Sequence, residues 1–258
     1  MITSKPLSNH AHPTRRLPAR GKAMTLVAAF RGIEGGILLC SDREWTDGFS
    51  KREVDKIYRI RDLAACEIFI AGSGPDATIH KASVDIFGAF VRASKAGKDV
   101  LQEHKSILES SLKAVYKQCA KTLRMYPMCL LIVVAPRGGK LVPMLYRTDE
   151  DVLVPESFYA ASGSGKPIAD YFADRLYEYG KLTKDALKVV AAFIFREAEA
   201  SSAGVGLGVD MRFIHEGDRS IHFIPSSSVK AIQVAIPSLS EAIQSYWAEN
   251  LKIPPEAP

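Results

Sequence analysis

The chain has 258 residues, of which 47% are hydrophobic and 24% charged, and its formal net charge is +5. No apolar run approaches the roughly 18 residues that a membrane span needs, so we expect no membrane contact. Residues 1–24 contain five basic and no acidic side chains. The whole chain has 34 basic and 29 acidic residues, so residues 25–258 contain 29 of each. The net charge therefore gives no indication of nucleic-acid binding.

The segment 1–24 differs in composition from the rest of the chain. It contains three prolines and almost no large apolar residue, so we expect it to be disordered. It also lacks the apolar stretch of a secretory signal. Three interpretations stay open: a short pro-segment, an upstream start codon with Met24 as the real start, or an Arg-rich transit peptide.

The cysteines and histidines give no indication of a metal site. Each cysteine lies alone in an apolar run, which is typical of reduced core thiols and favours a cytoplasmic protein. The histidines after residue 24 show no HxxH or HExxH spacing, and the glycine-rich stretch 163–166 lacks residues that a phosphate-binding loop requires. We therefore expect no cofactor and no metal ion. The four cysteines are Cys40, Cys66, Cys119 and Cys129.

Thr25 begins the first predicted strand and directly follows Met24. If the leader or Met24 is removed, Thr25 becomes the N-terminus. One residue then carries a hydroxyl nucleophile and an α-amine of pKa roughly 7.7 to 8.0 that can accept its proton. The alternative is that Thr25 is an ordinary β-branched strand residue.

The first half of the chain predicts strands followed by two helices. Continuous apolar runs separated by turn signals indicate strands that are buried on both faces. Apolar residues at spacings of three and four then indicate two amphipathic helices. The predicted strands are 26–30, 37–41, 57–60 and 67–71, and the helical patterns run over 79–90 and 101–119.

The second half repeats this plan and adds more strands. Thr183 is a candidate N-cap for the second of its two helices. A last amphipathic stretch contains Ile243 and Trp247, and residues 251–258 are expected to fray. The predicted strands are 129–135, 141–147, 157–162, 208–214, 219–224 and 229–235, and the helices cover 168–176 and 187–198.

The order of these elements predicts an α+β layered fold. Because the strands look buried on both faces, we expect two stacked sheets with helices outside. No internal linker is visible in the sequence. We therefore expect one domain over residues 25–250.

Four segments of the chain resemble the proteasome β-type subunits and their bacterial relatives, which are N-terminal-nucleophile hydrolases. The resemblance spans nearly all of residues 25–235 and implies a four-layer αββα sandwich. GILLCSDR at 36–43 is similar to the family's GVVLAADRR, DKIYRI at 55–60 to DKIFKI, IAGSGPDA at 70–77 to IAGLVGDA, and YAASGSG at 159–165 to YAATGSGS.

The resemblance implies that Thr25 is the nucleophile and that its own amine is the base. Lys56 would lower the pKa of that amine and stabilise the threonine oxygen. Asp42 would pair with Lys56, because an isolated buried cation is unfavourable. One extra residue near Gly35-Gly36 is needed to place Thr25 at the nucleophile position. The alternative for Asp42 and Lys56 is a structural ion pair or solvated strand ends.

The resemblance also implies that the Gly72 N–H is the oxyanion donor and that Ser164 bonds the threonine amine. The alternatives are a tight turn at Gly72 and a helix cap at Ser164. The family has an Asp and a Ser, three residues apart, before the strand near 208, where this chain has Ser202 and Val205. We expect Ser202, or its neighbour Ser201, to take part of that hydrogen-bonding role.

The implied function is a threonine endopeptidase that forms a homo-oligomeric, proteasome-like ring. Its active sites would face a closed chamber and hydrolyse unfolded polypeptides, with an ATPase unfoldase as a possible partner. Two alternatives stay open. One is a catalytically silent structural subunit of such a ring, and the other is a free-standing amidase of the same fold.

Overall fold

The structure, a computed structural model, describes residues 25–46, 50–61, 63–138, 141–202, 204–215, 221–237 and 241. Among these residues no helix is both long and apolar enough to cross a bilayer. The elements of the first half are β1 (Leu26–Arg31), β2 (Ile37–Asp42), β3 (Glu44–Thr46), β4 (Lys51–Glu53), β5 (Ile57–Ile60), β6 (Cys66–Ser73), α1 (Asp76–Lys95), α2 (His104–Gln118) and α3 (Ala120–Met125).

The second half follows the same plan and ends in a helix. Its elements are β7 (Cys129–Pro136), β8 (Met144–Asp149), β9 (Val152–Glu156), β10 (Tyr159–Gly163), α4 (Lys166–Leu176), α5 (Lys184–Ser201), β11 (Val209–Ile214), β12 (Ile221–Ile224) and α6 (Ser226–Ala235).

The strands form two five-stranded antiparallel sheets. The first sheet has the order β10-β1-β2-β11-β12, and the second has the order β5-β6-β7-β8-β9. The short strands β3 and β4 pair only with each other and form a hairpin between β2 and β5. The segments before and after this hairpin therefore belong to different sheets.

The strand β1 shows why its sequence is continuously apolar. Val27 and Ala29 pack against the second sheet, whereas Leu26, Ala28 and Phe30 pack against the helices on the other side. Successive side chains of a strand point to opposite faces, so a strand between two layers has no solvent-facing position. The prediction of strands covered on both faces is confirmed for β1.

Helices cover the outer face of each sheet. Phe90 of α1 and Leu112 of α2 are fully buried against the second sheet, and Phe195 of α5 is buried against the first. Thr183 caps α5 as predicted, because its hydroxyl accepts a hydrogen bond from the Ala186 N–H at 3.4 Å. The α+β, four-layer αββα arrangement is thus confirmed.

The prediction of a strand at 229–235 is wrong, because this segment belongs to helix α6. The run of apolar and β-branched residues there is typical of a strand, but Pro225 starts a helix at Ser226. Val229 is buried while Val234 is 79% exposed, so the segment buries one face only. The segment also contacts α5: the Gln233 amide donates to the Ala192 carbonyl of that helix at 3.2 Å.

Other boundaries moved by a few residues. The strand predicted at 141–147 is β8, which begins at Met144, and the helix predicted over 101–119 begins at His104 and is followed by α3. β9 was not predicted, because Pro155 interrupts its pattern. Proline is tolerated there because β9 is an edge strand. The predicted leader 1–24 and the stretch with Ile243 and Trp247 lie outside the described residues.

Candidate active site

Thr25 lies at the start of β1 and is 4% exposed. The β1–β2 connection pairs Arg31 with Ile37 and leaves five residues in the turn. This turn length brings the Asp42 carboxylate back to the start of β1, where Oδ1 accepts a hydrogen bond from the Leu26 N–H at 2.8 Å. Gly35 and Gly36, where the resemblance needs one extra residue, both lie in this turn.

Lys56 connects Thr25 with Asp42. Its Nζ lies 2.6 Å from Thr25 Oγ1 and 2.9 Å from each carboxylate oxygen of Asp42. It also donates to the Glu44 carbonyl. The Thr25 hydroxyl donates in turn to Asp42 Oδ1. The three side chains that the sequence assigned to one site thus meet in space.

Burial and ion pairing act in opposite directions on this pair. Burial lowers the pKa of Lys56 and raises the pKa of Asp42, and the attraction between the two groups opposes both shifts. The hydrogen bonds that Thr25 and Leu26 donate to Asp42 also favour its charged form. Each buried charge is therefore compensated by the other. An isolated charged group at this depth would have no such compensation.

Gly72 lies near the end of β6. The preceding residue, Ala71, is paired with Ile57 of β5, and Ile57 directly follows Lys56. A Cβ on Gly72 would lie 2.7 Å from Ile79 Cγ2 and 2.9 Å from Leu130 Cδ2. The glycine is therefore required by close packing of α1 and β7 against this strand. The alternative reason for this glycine, a tight turn, does not fit its position within β6.

The turn between β10 and α4 holds the backbone of Thr25. The Thr25 N–H donates to Ser164 Oγ at 3.2 Å, and the Gly165 N–H lies 3.3 Å from the Thr25 carbonyl oxygen. The N-cap of α4 is Gly165, with no side-chain cap, so Ser164 does not act as the helix cap. Gly163 has a φ of +105°, and a Cβ there would lie 2.1 Å from the Thr25 carbonyl oxygen.

Ser202 is a predicted residue that the structure does not bring to Thr25. It follows the end of α5, and within the described residues its hydroxyl makes no hydrogen bond. Val205 is apolar and buried. The neighbouring Ser201 is exposed at the last position of the helix. This loop therefore lacks the side-chain contacts to Thr25 that the family resemblance implied.

Two acidic side chains lie against the loop after α5. Oxygens of Glu44 and Glu199 converge on Gly206, where a Cβ would lie 2.9 and 3.0 Å from them. Burial raises the pKa of Glu199, and the nearby charges of Glu44 and Asp42 raise it further. Lys51 pairs with Glu44 at 2.9 Å. The contribution of Glu44 could not be predicted from the sequence, because Glu44 contacts Lys56 through its backbone carbonyl oxygen rather than through its side chain.

The site is a set of hydrogen-bonded side chains around Thr25. A groove of about 550 Å³ lies between α1 and α2, and none of the residues around Thr25 lines it. Over the ranges that the structure describes, no group of three His, Cys, Asp or Glu side chains is placed to hold a metal ion. The chemistry available here is that of a threonine hydroxyl beside a lysine ammonium.

Comparisons with known proteins converge on one family. A sequence model of the proteasome subunit family matches residues 23–214. The proteasome subunit beta of Methanopyrus kandleri is 29% identical over 192 residues, covering 72% of this chain and 86% of that protein. Proteasome subunit beta 2 of Aeropyrum pernix is 27% identical over 198 residues, covering 75% of this chain and 83% of that protein.

Solved structures share the fold at low sequence identity. Anbu, described as an ancestral beta-subunit, from Yersinia bercovieri superposes with a TM-score of 0.69 at 15% identity, covering 87% of this chain and 97% of that one. Anbu from Pseudomonas aeruginosa, solved as a helical assembly, gives a TM-score of 0.70 at 15% identity, covering 90% and 99%. These similarities concern the fold alone.

Proposed function

Because the chain belongs to the proteasome subunit family, we propose that it is a threonine endopeptidase whose nucleophile is Thr25 Oγ1. The observation that carries the proposal is the position of Lys56 Nζ, 2.6 Å from that oxygen and bonded to both oxygens of Asp42. A cation in contact with a hydroxyl oxygen favours its deprotonated form, and a carboxylate holds the cation in place.

The proposed reaction begins once Thr25 is the N-terminus. Its hydroxyl attacks the carbonyl carbon of the scissile peptide bond while its α-amine takes the hydroxyl proton. The Gly72 N–H is our proposed donor to the oxyanion, a group worth about 3 to 4 kcal/mol in acyl transfer. The protonated α-amine of Thr25 then gives the proton to the leaving amine as the peptide C–N bond breaks, and the acyl group remains as an ester on Thr25 Oγ1. Water then attacks the ester carbonyl carbon while the α-amine takes its proton, the bond to Thr25 Oγ1 breaks, the acyl product leaves as a carboxylic acid, and the proton returns to Oγ1.

The uncut chain lacks the proposed base. With Met24 attached, the Thr25 nitrogen is a peptide N–H that donates to Ser164, and it has no lone pair for a proton. The hydroxyl proton points to Asp42 instead. Activation therefore requires a chain that starts at Thr25. Removal of an initiator methionine at Met24 would suffice, or Thr25 would attack the carbonyl that precedes it.

The decisive experiment is intact mass with N-terminal sequencing of the protein from its native host, combined with peptide hydrolysis by variants. We expect a start at Thr25, no hydrolysis by Thr25→Ala, and partial hydrolysis by Thr25→Ser, which keeps both hydroxyl and amine. Thr183→Ala, which removes a helix-cap hydroxyl elsewhere, serves as the control and should retain activity. Hydrolysis by the Thr25→Ala variant would refute the assignment.

A silent structural subunit is the second candidate, and the loop after α5 favours it. Ser202 makes no contact with Thr25 in the described part of the chain, and Val205 offers no hydrogen-bonding group. A mature chain that keeps Met24 and does not hydrolyse peptides would support this candidate. A chain that starts at Thr25 but remains inactive in isolation would support it equally.

We also propose a homo-oligomeric ring in the cytoplasm that hydrolyses unfolded polypeptides, fed by an ATPase unfoldase. Residues 25–250 would form its single domain. Helices outside both sheets expose apolar side chains that suit subunit contacts, such as Val234 of α6 and Val84 of α1. Native mass spectrometry measures the number of subunits in the assembly. A monomer would contradict the proposed ring. Degradation of an unfolded protein compared with its folded form tests the substrate class.

A further inference from the structure

A hydroxyl pair joins the two sheets beside Thr25. Ser73 Oγ of β6 lies 2.6 Å from Ser162 Oγ of β10, and both side chains are buried. Ser73 directly follows Gly72. Ser162 is paired with Val27 and precedes Gly163 and Ser164, which contact Thr25. The bond therefore connects the strand of the proposed oxyanion donor with the strand beside the nucleophile.

Cys129 of β7 lies beside this pair, because its backbone is paired with that of Ser73. Its thiol donates to the Thr148 carbonyl at 3.2 Å. Burial raises the pKa of this thiol, and the Ser162 hydroxyl acts on it in the opposite direction.

Apolar side chains from both sheets pack against one another in the space between them. Val27, Ala29 and Leu39 of the first sheet pack there against Phe69 and Leu131 of the second. Apolar contacts are not directional and tolerate small shifts of one sheet over the other. A hydrogen bond of 2.6 Å between the sheets is directional and does not.

We propose that the hydroxyl bridge between Ser73 and Ser162 is a positioning contact that sets the distance between Thr25 Oγ1 and the Gly72 N–H. Lys56 makes the other polar connection at this end, because it precedes β5 of the second sheet and bonds Thr25 and Asp42 of the first. Lys56 precedes β5, which is paired with β6, and Ser73 directly follows Gly72 within β6 itself.

This inference rests on the proposed peptidase function and specifies how the site is aligned. An oxyanion donor acts on the transition state and not on the bound substrate, so its displacement lowers kcat and leaves KM unchanged. A displacement of about 1 Å is enough to lower the rate by about 100-fold. We therefore expect Ser73→Ala and Ser162→Ala each to reduce kcat by about 10- to 100-fold.

The test compares kcat and KM for peptide hydrolysis by Ser73→Ala, Ser162→Ala and the double variant, all with Thr25 as the N-terminus. Because either substitution removes the same bond, we expect the double variant to lose no more than the larger single loss. Ser162→Thr keeps the hydroxyl and should restore kcat. Ser83→Ala, which removes a buried hydroxyl from α1 that bonds the Ile79 carbonyl at 3.0 Å, is the matched control.

The outcomes separate this inference from the function it rests on. An inactive wild-type chain that starts at Thr25 would overturn both. An active wild type with unchanged kcat in Ser73→Ala and Ser162→Ala would overturn the positioning contact alone. Equal losses in the Ser83→Ala control would also overturn it, because the effect would then reflect general destabilisation.

Discussion

The ammonium of Lys56 lies closer to Thr25 Oγ1, at 2.6 Å, than to either carboxylate oxygen of Asp42, at 2.9 Å. A lysine that served only to neutralise Asp42 would have no need of the hydroxyl. The three groups form a closed set in which Thr25 donates to Asp42 and accepts from Lys56. In this set the hydroxyl already contacts the cation that favours its deprotonation.

The first prediction separates the two effects of removing Lys56. Lys56→Ala should abolish peptide hydrolysis and should destabilise the fold by about 3 to 5 kcal/mol, because Asp42 remains as an uncompensated buried charge. The double variant Lys56→Ala, Asp42→Asn removes that charge. We expect it to regain most of the lost stability in chemical denaturation while staying inactive. Activity in Lys56→Ala would remove the lysine from the proposed mechanism.

The second prediction concerns the turn that holds Thr25. In Gly163→Ala the new Cβ would lie 2.1 Å from the Thr25 carbonyl oxygen, at a φ of +105°. Gly97→Ala is the matched control, because Gly97 has a φ of +74° and nothing within 4 Å of its Cβ position. The control should lose about 1 to 2 kcal/mol from backbone strain alone.

We expect Gly163→Ala to lose clearly more stability than Gly97→Ala and to be inactive, because Thr25 must shift to relieve the contact. Thermal unfolding of both variants measures the difference. Equal losses would mean that the turn adapts without moving Thr25, and peptide hydrolysis would then be retained.

The third prediction tests the packing around Gly72. A Cβ there would lie 2.7 Å from Ile79 Cγ2, so Gly72→Ala should overpack the contact between β6 and α1 by about 1 to 3 kcal/mol. Ile79→Ala alone should lose about 2 to 5 kcal/mol by leaving a cavity. In the double variant the new methyl group occupies part of that cavity. We expect the combined loss to be smaller than additive, and additive losses in denaturation would contradict the packing.

The strands around the site could be predicted from the sequence because burial on both faces leaves a strong local signal. β1 and β2 each consist of six residues, all of them buried except the half-buried Arg31, and Gly35 and Gly36 mark the turn between them. The assignment of Asp42 and Lys56 to the site came from the resemblance of segments 36–43 and 55–60 to the family. Such features depend on residues that are close together in the chain.

Other features depend on contacts that are distant in the chain. The segment 229–235 has the composition of a strand but forms the helix α6, which packs on α5. The Ser73–Ser162 bond joins residues 89 positions apart, and neither serine differs in local pattern from an ordinary turn or strand residue. The role of Glu44 at Lys56 comes from a backbone carbonyl, which the identity of the side chain does not reveal.

The fourth prediction is a dependence of stability on pH from Asp210 of β11. This side chain is 3% exposed, and burial raises its pKa above the ordinary value of 3.8, against the opposing effect of Arg212, which lies 3.3 Å away. Among the described residues Asp210 Oδ1 makes no hydrogen bond. The charges of Asp55 and Arg43 also act on it, in opposite directions.

A raised pKa means that the folded state binds the proton of Asp210 more tightly than the unfolded state does. The wild type therefore gains stability as the pH falls through the raised pKa towards 3.8, and Asp210→Asn cannot. We expect the unfolding free energy of Asp210→Asn, relative to the wild type, to be highest at neutral pH and to fall as the pH is lowered through that window. Denaturant titrations at several pH values measure this difference.

Asp185→Asn provides a control with the opposite sign. The hydrogen bond and charge of Lys188 hold the pKa of the exposed Asp185 below 3.8, so its contribution is present above 3.8 and is lost as the pH falls through the lowered value. Relative to the wild type, this variant should therefore be less stable at neutral pH and should approach it in acid. If Asp210→Asn were also less stable than the wild type at neutral pH and approached the wild-type stability in acid, the raised pKa of Asp210 would be contradicted.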